Sequence, residues 1–173
     1  MISNRPIFQI LLAALVAIAT AMPASALEIR PLHWSDLDRM LGQGMSYAKR
    51  EFGNKTIRVE VTSRARGDSL KRILNTGSFI AYAKSNGDLV WWNGKYKVAL
   101  PGRWKVREII PGVLDPCFQL ATQSGLSDCF RGGTANFREI TDGNPFGLTA
   151  GEAPQFRMSR KITLAKMAKQ KGL

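Results

Sequence analysis

Few side chains in this chain could carry acid–base, nucleophilic or metal chemistry. Its 173 residues include one histidine, His33, and two cysteines, Cys117 and Cys129. A Ser-His-Asp or Cys-His site would have to use that single imidazole. A metal site has no second histidine to draw on, and the acids are scattered singly, short of the clustered ligands that zinc or another transition metal needs. Carboxylate pairs of the kind that hydrolyse glycosides are thinkable. Asp36 and Asp38 are two apart and so point to different sides of a helix, while Glu139 and Asp142 flank a strand end, where an acid is commonly a solvated turn residue. The pairs Gly132-Gly133 and Gly42-x-Gly44 are too short to argue phosphate binding. Arg66-Gly67-Asp68 spells an adhesion tripeptide but reads as a surface turn. These residues predict no catalytic centre, no metal and no cofactor.

Recognition chemistry is better represented. The stretch "DLVWWNGKYKVALPGRWKV", residues 88 to 106, holds three of the four tryptophans, together with Tyr96, Lys95, Lys97, Arg103 and Lys105. If 88–92 pairs with 95–100 through Asn93-Gly94, Leu89 and Trp91 share one face and Val90 and Trp92 the other. Both faces then carry an indole, so one tryptophan is expected at a surface, at a cavity mouth or under the N-terminal helix. Three readings follow. The aromatics can be plain core, with the cations on a wet face. They can form a cleft with a cationic rim that holds an amphipathic anion such as a lipid, or stacks on a sugar. Or a basic face can meet an acidic protein or the anionic envelope surface. For a ligand, the expected contacts are Trp91, Trp92, Tyr96, Arg103 and Trp104.

The N-terminus predicts where this happens. Arg5 precedes an apolar stretch from Ile10 to Ala19, and Pro23 leads into Ala24-Ser25-Ala26, the pattern of a secretory signal over residues 1–26 with cleavage after Ala26. The apolar core is too short for a membrane span, which needs about 20 residues, so no transmembrane segment is expected after cleavage. What is left fits one domain, 27–156, with a tail beyond it. Export to the periplasm or further makes a Cys117–Cys129 disulfide the expected use of the cysteines, and closing that short loop contributes ~3 kcal/mol. Metal or redox roles lack the tight spacing they need.

Charge divides the chain unevenly. The formal +12 becomes +11 once Arg5 leaves with the signal. Residues 157–173 carry Arg157, Arg160, Lys161, Lys166, Lys169 and Lys171 and no acid, a basic tail able to attract anionic lipid, lipopolysaccharide or acidic polysaccharide through a salt-weakened field. Nucleic acid ranks last, because the compartment offers little of it. Met158, Ile162, Ala165 and Ala168 fall roughly on one helical face, with Leu164 and Met167 off it. The tail reads either as a surface-lying helix or as a frayed, solvated terminus.

The elements that must position these residues are mostly strands. Ser35 is the expected N-cap of a short helix bearing Leu37, Met40, Leu41 and Met45, ended near Gly42–Gly44. "TIRVEVT" alternates Ile57, Val59 and Val61 against polar residues, a strand with one buried face. "SFIAYAK", "LVWW" and "KYKVAL" follow, separated by Asn-Gly turns. Pro101-Gly102 marks the next turn. "RWKVREI" comes after it, and Pro111-Gly112 and Asp115-Pro116 bound an irregular loop. "CFQLA", "CFRG" and "TANFREIT" complete about eight strand pieces without crossover helices. An antiparallel meander is predicted, curled into a small barrel or a bent sheet.

Residues 78–146 resemble small exported proteins of Gram-negative bacteria, mostly of unknown function, with a lipocalin-like antiparallel sheet. Asn86-Gly87, Gly102-Arg103-Trp104-Lys105-Val106, Cys117 and Cys129 carry the resemblance. It implies a fold and a compartment and supplies no catalytic residue. True lipocalins place Gly-x-Trp on the first strand, whereas here it sits mid-chain. The expectation is a mainly β, lipocalin-like periplasmic or secreted binding protein that is not an enzyme. Its first candidate partner is an amphipathic anionic or apolar ligand. The alternative is a protein-binding module, such as an inhibitor or accessory of an envelope enzyme, or an envelope-surface binder acting through its basic face.

Overall fold

Apolar alternation and Asn-Gly or Pro-Gly turns fold most of the chain into one antiparallel sheet. The computed structural model describes residues 27–61, 77–122, 125–126, 135–159 and 161–173. The predicted signal, Arg66-Gly67-Asp68, Cys129, Gly132-Gly133 and Arg160 lie outside the described residues. The strands are β1 (Ile29–Pro31), β2 (Lys55–Val61), β3 (Ser78–Ala83), β4 (Asp88–Trp92), β5 (Leu100–Ile110), β6 (Val113–Thr122), β7 (Gly125–Leu126) and β8 (Ala135–Asp142). Their order is β1-β8-β2-β3-β4-β5-β6-β7, so β8 enters between β1 and β2 and the rest is a meander. The sheet stays open: β1 and β7 are its two edges, and it does not close into a barrel.

Two short helices, α1 (Trp34–Gly42) and α2 (Met45–Phe52), separate β1 from β2. α1 is capped at His33, two residues before the expected cap. The His33 backbone N–H donates to Asp36 Oδ2 at 3.1 Å, so Asp36 rather than Ser35 satisfies the first turn. Gly44, at φ +95, lets the chain re-enter a helix at once. Leu37, Met40, Leu41, Ala48 and Phe52 from these helices join Ile57, Val59, Phe79, Leu89, Trp91, Trp104, Phe118, Phe137 and Ile140 from the sheet in one core.

The opposite face is buried as well. There Ile80, Val90, Trp92 and Ala99 meet Phe146, Leu148, Phe156, Ile162, Leu164, Met167 and Ala168 from the C-terminal segment, which ends in α3 (Leu164–Lys171). β2 therefore has two covered faces rather than one, and Thr56 and Arg58 are buried along with Ile57 and Val59. Because α3 begins only at Leu164, the helical face expected from Met158 through Ala168 does not form. Leu164, Met167 and Ala168 point inward and Ala165 is exposed.

Two expected breaks run through strands instead. Residues 95–99 form a loop, and β5 begins at Leu100, carrying Pro101-Gly102 inside it. Gly102 is needed for close approach, since a Cβ there would lie 2.6 Å from the Gln119 carbonyl oxygen. Asp115-Pro116 lies within β6, beside β5. β7 reaches only Ala121 and Thr122, so among the described residues Pro116 sits where β6 has no strand on the side away from β5, and its missing N–H leaves no bond to a described strand unmade. A bulge on β8 changes the phase of "NFREI": Arg58 pairs with Glu139 but Val59 with Phe137, leaving Arg138 extra. Phe137 and Ile140 thereby share the inner face, and Glu139 turns to the opposite face, beneath the start of α3.

Candidate functional site

β4 and β5 distribute the aromatic residues between the two cores. Trp91 is fully buried on the inner face, edge-on to Phe79 and Tyr96 at 6.1 and 5.6 Å. Its indole N–H donates to the Pro101 carbonyl at 3.1 Å. Trp104, on the same face, lies beside Phe52 and donates to the Lys84 carbonyl at 2.6 Å. Trp92 faces the other way, edge-on to Phe156 at 5.3 Å, and donates to the Tyr96 carbonyl at 2.8 Å. It lies under the C-terminal segment, not at the surface, a cavity mouth or the N-terminal helices. Tyr96, half-buried in the loop after β4, touches both cores. Arg103 is exposed on the outer face of β5. Thus Trp91, Trp92, Tyr96, Arg103 and Trp104 do not line one cleft, and each indole N–H is already used by a backbone carbonyl. A surface depression of about 590 Å³ lies elsewhere, lined by Pro154, Gln155, Phe156, Arg157 and Gln170.

The cations have the opposite fate. Arg103 and Lys105 occupy alternate positions on β5 and project, exposed, from the face opposite Trp104 and Val106. On α3, Lys166 and Lys169 lie on the exposed side, and Arg157 and Lys161 are exposed ahead of it. Lys171 turns inward, half-buried, and donates to the Pro145 carbonyl at 3.1 Å. Among the described residues, Arg103, Lys105, Lys161, Lys166 and Lys169 form no ion pair within 4.0 Å. Acids, by contrast, are drawn into pairs: Glu28, Asp36, Glu51, Glu60, Asp115, Glu139 and Asp142 each face a lysine or arginine. The positive excess is therefore left on the surface.

One of those pairs fixes α3. Glu139 Oε2 accepts from Arg58 Nε at 2.6 Å and from the Leu164 backbone N–H at 2.9 Å. The Thr163 hydroxyl accepts from the Lys166 N–H at 3.2 Å. No acid occurs in the first turn of α3, so the sheet supplies the negative charge that the helix N-terminus favours. Sequence reasoning set Glu139 aside as a solvated turn residue. The Arg58 side chain is 10% exposed and that of Glu139 16%, and their separation of 81 residues leaves no local signal of the contact.

The remaining chemical candidates are not assembled. His33 is exposed before α1. Asp36 bonds its own helix start and Arg39, whereas Asp38 is exposed. Asp142 is exposed, and a hydrogen bond from Lys55 holds its carboxyl below the usual carboxylate range. No cluster of three metal-capable side chains occurs among the described residues. Nor is any described helix long and apolar enough to cross a membrane. Cys117 is fully buried on β6, opposite Lys105; Cys129 lies outside the described residues. No protein-family model, curated protein or solved structure matches the chain.

Proposed function

We propose that this is an exported envelope protein, not an enzyme, which binds anionic surfaces such as lipid headgroups through its exposed cations. One observation carries the reading: seven of the eleven described acids pair with cations, while Arg103, Lys105, Lys161, Lys166 and Lys169 stay exposed and outside any of these ion pairs. Such charges give a long-range attraction that salt weakens. The signal-like leader, with cleavage after Ala26, sets the compartment as periplasm or beyond. The resemblance to small exported lipocalin-like proteins agrees with it. In that compartment Cys117 and Cys129 pair as a disulfide, and an intact mass two hydrogens light tests it.

Anionic lipid is a better match than an amphipathic ligand in an aromatic cleft. Trp91, Trp92 and Trp104 are between 0% and 7% exposed, and their N–H groups are committed to the backbone. The test is sedimentation of the processed protein with phosphatidylglycerol vesicles, with phosphatidylcholine as control, as salt is raised. Binding should require the anionic lipid and weaken steeply as the Debye length falls from about 8 Å at 0.15 M to about 3 Å at 1 M. Equal binding to the zwitterionic vesicles, or none to either, overturns the reading. A discrete small-molecule adduct in the native mass would revive the ligand carrier.

A further inference from the structure

The cationic face is not the only unpartnered surface. Beyond Trp104, whose N–H donates to the Gly87 carbonyl at the β3–β4 turn, β5 and β6 continue as a two-stranded ribbon. Its apex is Ile109-Ile110-Pro111-Gly112-Val113, and every one of these residues is exposed. Ile109, Ile110 and Val113 are 46%, 60% and 46% exposed, three of the five large apolar side chains so exposed among the described residues.

Turn formation alone does not require them. Pro111 supplies the first corner and Gly112, at φ +79, the second. The Gly112 N–H is satisfied by the Glu108 carboxylate at 2.6 Å, and Ile110 pairs with Val113 across the end. Polar residues would flank such a turn equally well, and they do so elsewhere in this chain, at Lys84-Ser85-Asn86-Gly87 and at Asp142-Gly143-Asn144. An apolar cluster held outward on a closed turn calls for an apolar partner. Exposure of all five residues means that neither side of the apex is covered, and a fluid apolar medium covers an apex from all sides where a protein surface covers one.

We propose that the β5–β6 apex, Ile109 to Val113, is an insertion tip that enters the interfacial zone of an anionic bilayer, with Lys105 reaching the headgroup phosphates behind it and Arg103 adding to the attraction from the water. The inference rests on the anionic-surface reading above and adds the element that penetrates. Dimensions agree. At about 3.3 Å per strand residue, Glu108 stands roughly 7 Å behind Ile110, within the 5–10 Å reached by interfacial elements, where its carboxylate is held by the Gly112 N–H. Lys105 stands roughly 16 Å behind Ile110, at the level of the phosphates and water. Gly112 and Ile110 enter with their turn bonds made, which matters where water is scarce.

The test compares the processed protein with a variant carrying Ile109→Ser, Ile110→Ser and Val113→Ser, on vesicles of phosphatidylglycerol and phosphatidylcholine at fixed low salt. Because these side chains are exposed, the variant should keep its circular dichroism and thermal midpoint while binding about tenfold or more weakly. A second variant, Ile110→Trp, reports depth. Its added emission should shift to the blue on anionic vesicles and be quenched by brominated acyl chains. A serine variant that binds like the parent, with no shift from Ile110→Trp, overturns the tip and leaves the surface reading standing. Failure of the parent to bind anionic vesicles at low salt overturns both. Should the serine variant fail to fold, the Ile110→Trp spectrum alone decides.

Discussion

Replacing Glu139 with alanine should be among the most damaging single changes outside the aromatic core. The carboxylate sits between the Arg58 guanidinium and the first N–H of α3, at 2.6 and 2.9 Å. With side chains 10% and 16% exposed, neither charge has much access to water. Removing one partner of such a pair strands the other, at a cost of about 3–5 kcal/mol, of which about 0.5–2 kcal/mol corresponds to the lost helix cap. Set against a total stability of about 5–15 kcal/mol, that is a large fraction. At about 2–4 °C per kcal/mol for a chain of this size, the thermal midpoint should fall by roughly 10 °C. Urea denaturation followed by circular dichroism measures it, and amide exchange across residues 164–171 should rise because α3 loses its anchor. Glu139→Gln, which keeps an acceptor, should cost less. Arg58→Met combined with Glu139→Leu should recover much of the loss, since an apolar pair of similar volume avoids desolvating two charges. A Glu139→Ala loss below about 1 kcal/mol, the range of solvated pairs, would falsify the argument that the pair is buried and holds the helix.

Three further outcomes are expected. Gly102→Ala should destabilise by about 1–3 kcal/mol through overpacking, because its Cβ would meet the Gln119 carbonyl at 2.6 Å and Leu89 at 3.3 Å; an unchanged denaturation midpoint refutes this. Deleting residues 157–173 should unfold the protein, since it strips Ile162, Leu164, Met167 and Ala168 from the second core, and each large apolar side chain is worth about 1.5–3 kcal/mol. A truncated chain with its midpoint intact contradicts it. Asp142, held below its ordinary value by Lys55, contributes stability that is present above the unfolded pKa of about 3.9 and lost as pH falls through the folded value. The stability gap between the parent and Asp142→Asn should therefore close toward pH 3, as thermal midpoints across pH would show; a gap that widens there is incompatible with the pairing.

Period-two alternation made much of the sheet legible before any coordinates. It places strands at 78–84, 89–92 and 134–141, each bound within one residue of the structure's, and it divides Leu89 and Trp91 from Val90 and Trp92, as the two cores do. What alternation cannot show is whether a given face is covered. Trp92 and Arg58 are buried by a segment from the far end of the chain, and no local pattern announces that contact. Gly102 misled because glycine serves both turns and close approaches, and only the neighbouring Gln119 carbonyl tells them apart. The bulge at Arg138 likewise hid the role of Glu139, since one extra residue reverses which side chains face outward. Of the candidate site, the residue types were visible and their grouping was not. Tryptophans and cations that are adjacent in sequence fall on separate surfaces, and the exposed members prove to be the cations.

The anionic-surface reading is tested most directly by neutralising those cations without touching either core. Tail deletion is unsuited to this, because it removes core with charge. Arg103→Gln, Lys105→Gln, Lys161→Gln, Lys166→Gln and Lys169→Gln change side chains that are exposed and unpaired, so the five-site variant should match the parent in circular dichroism and thermal midpoint. Its binding to phosphatidylglycerol vesicles is the measurement. The account predicts a folded variant that no longer sediments with them at low salt; a folded variant that sediments as fully as the parent would contradict it.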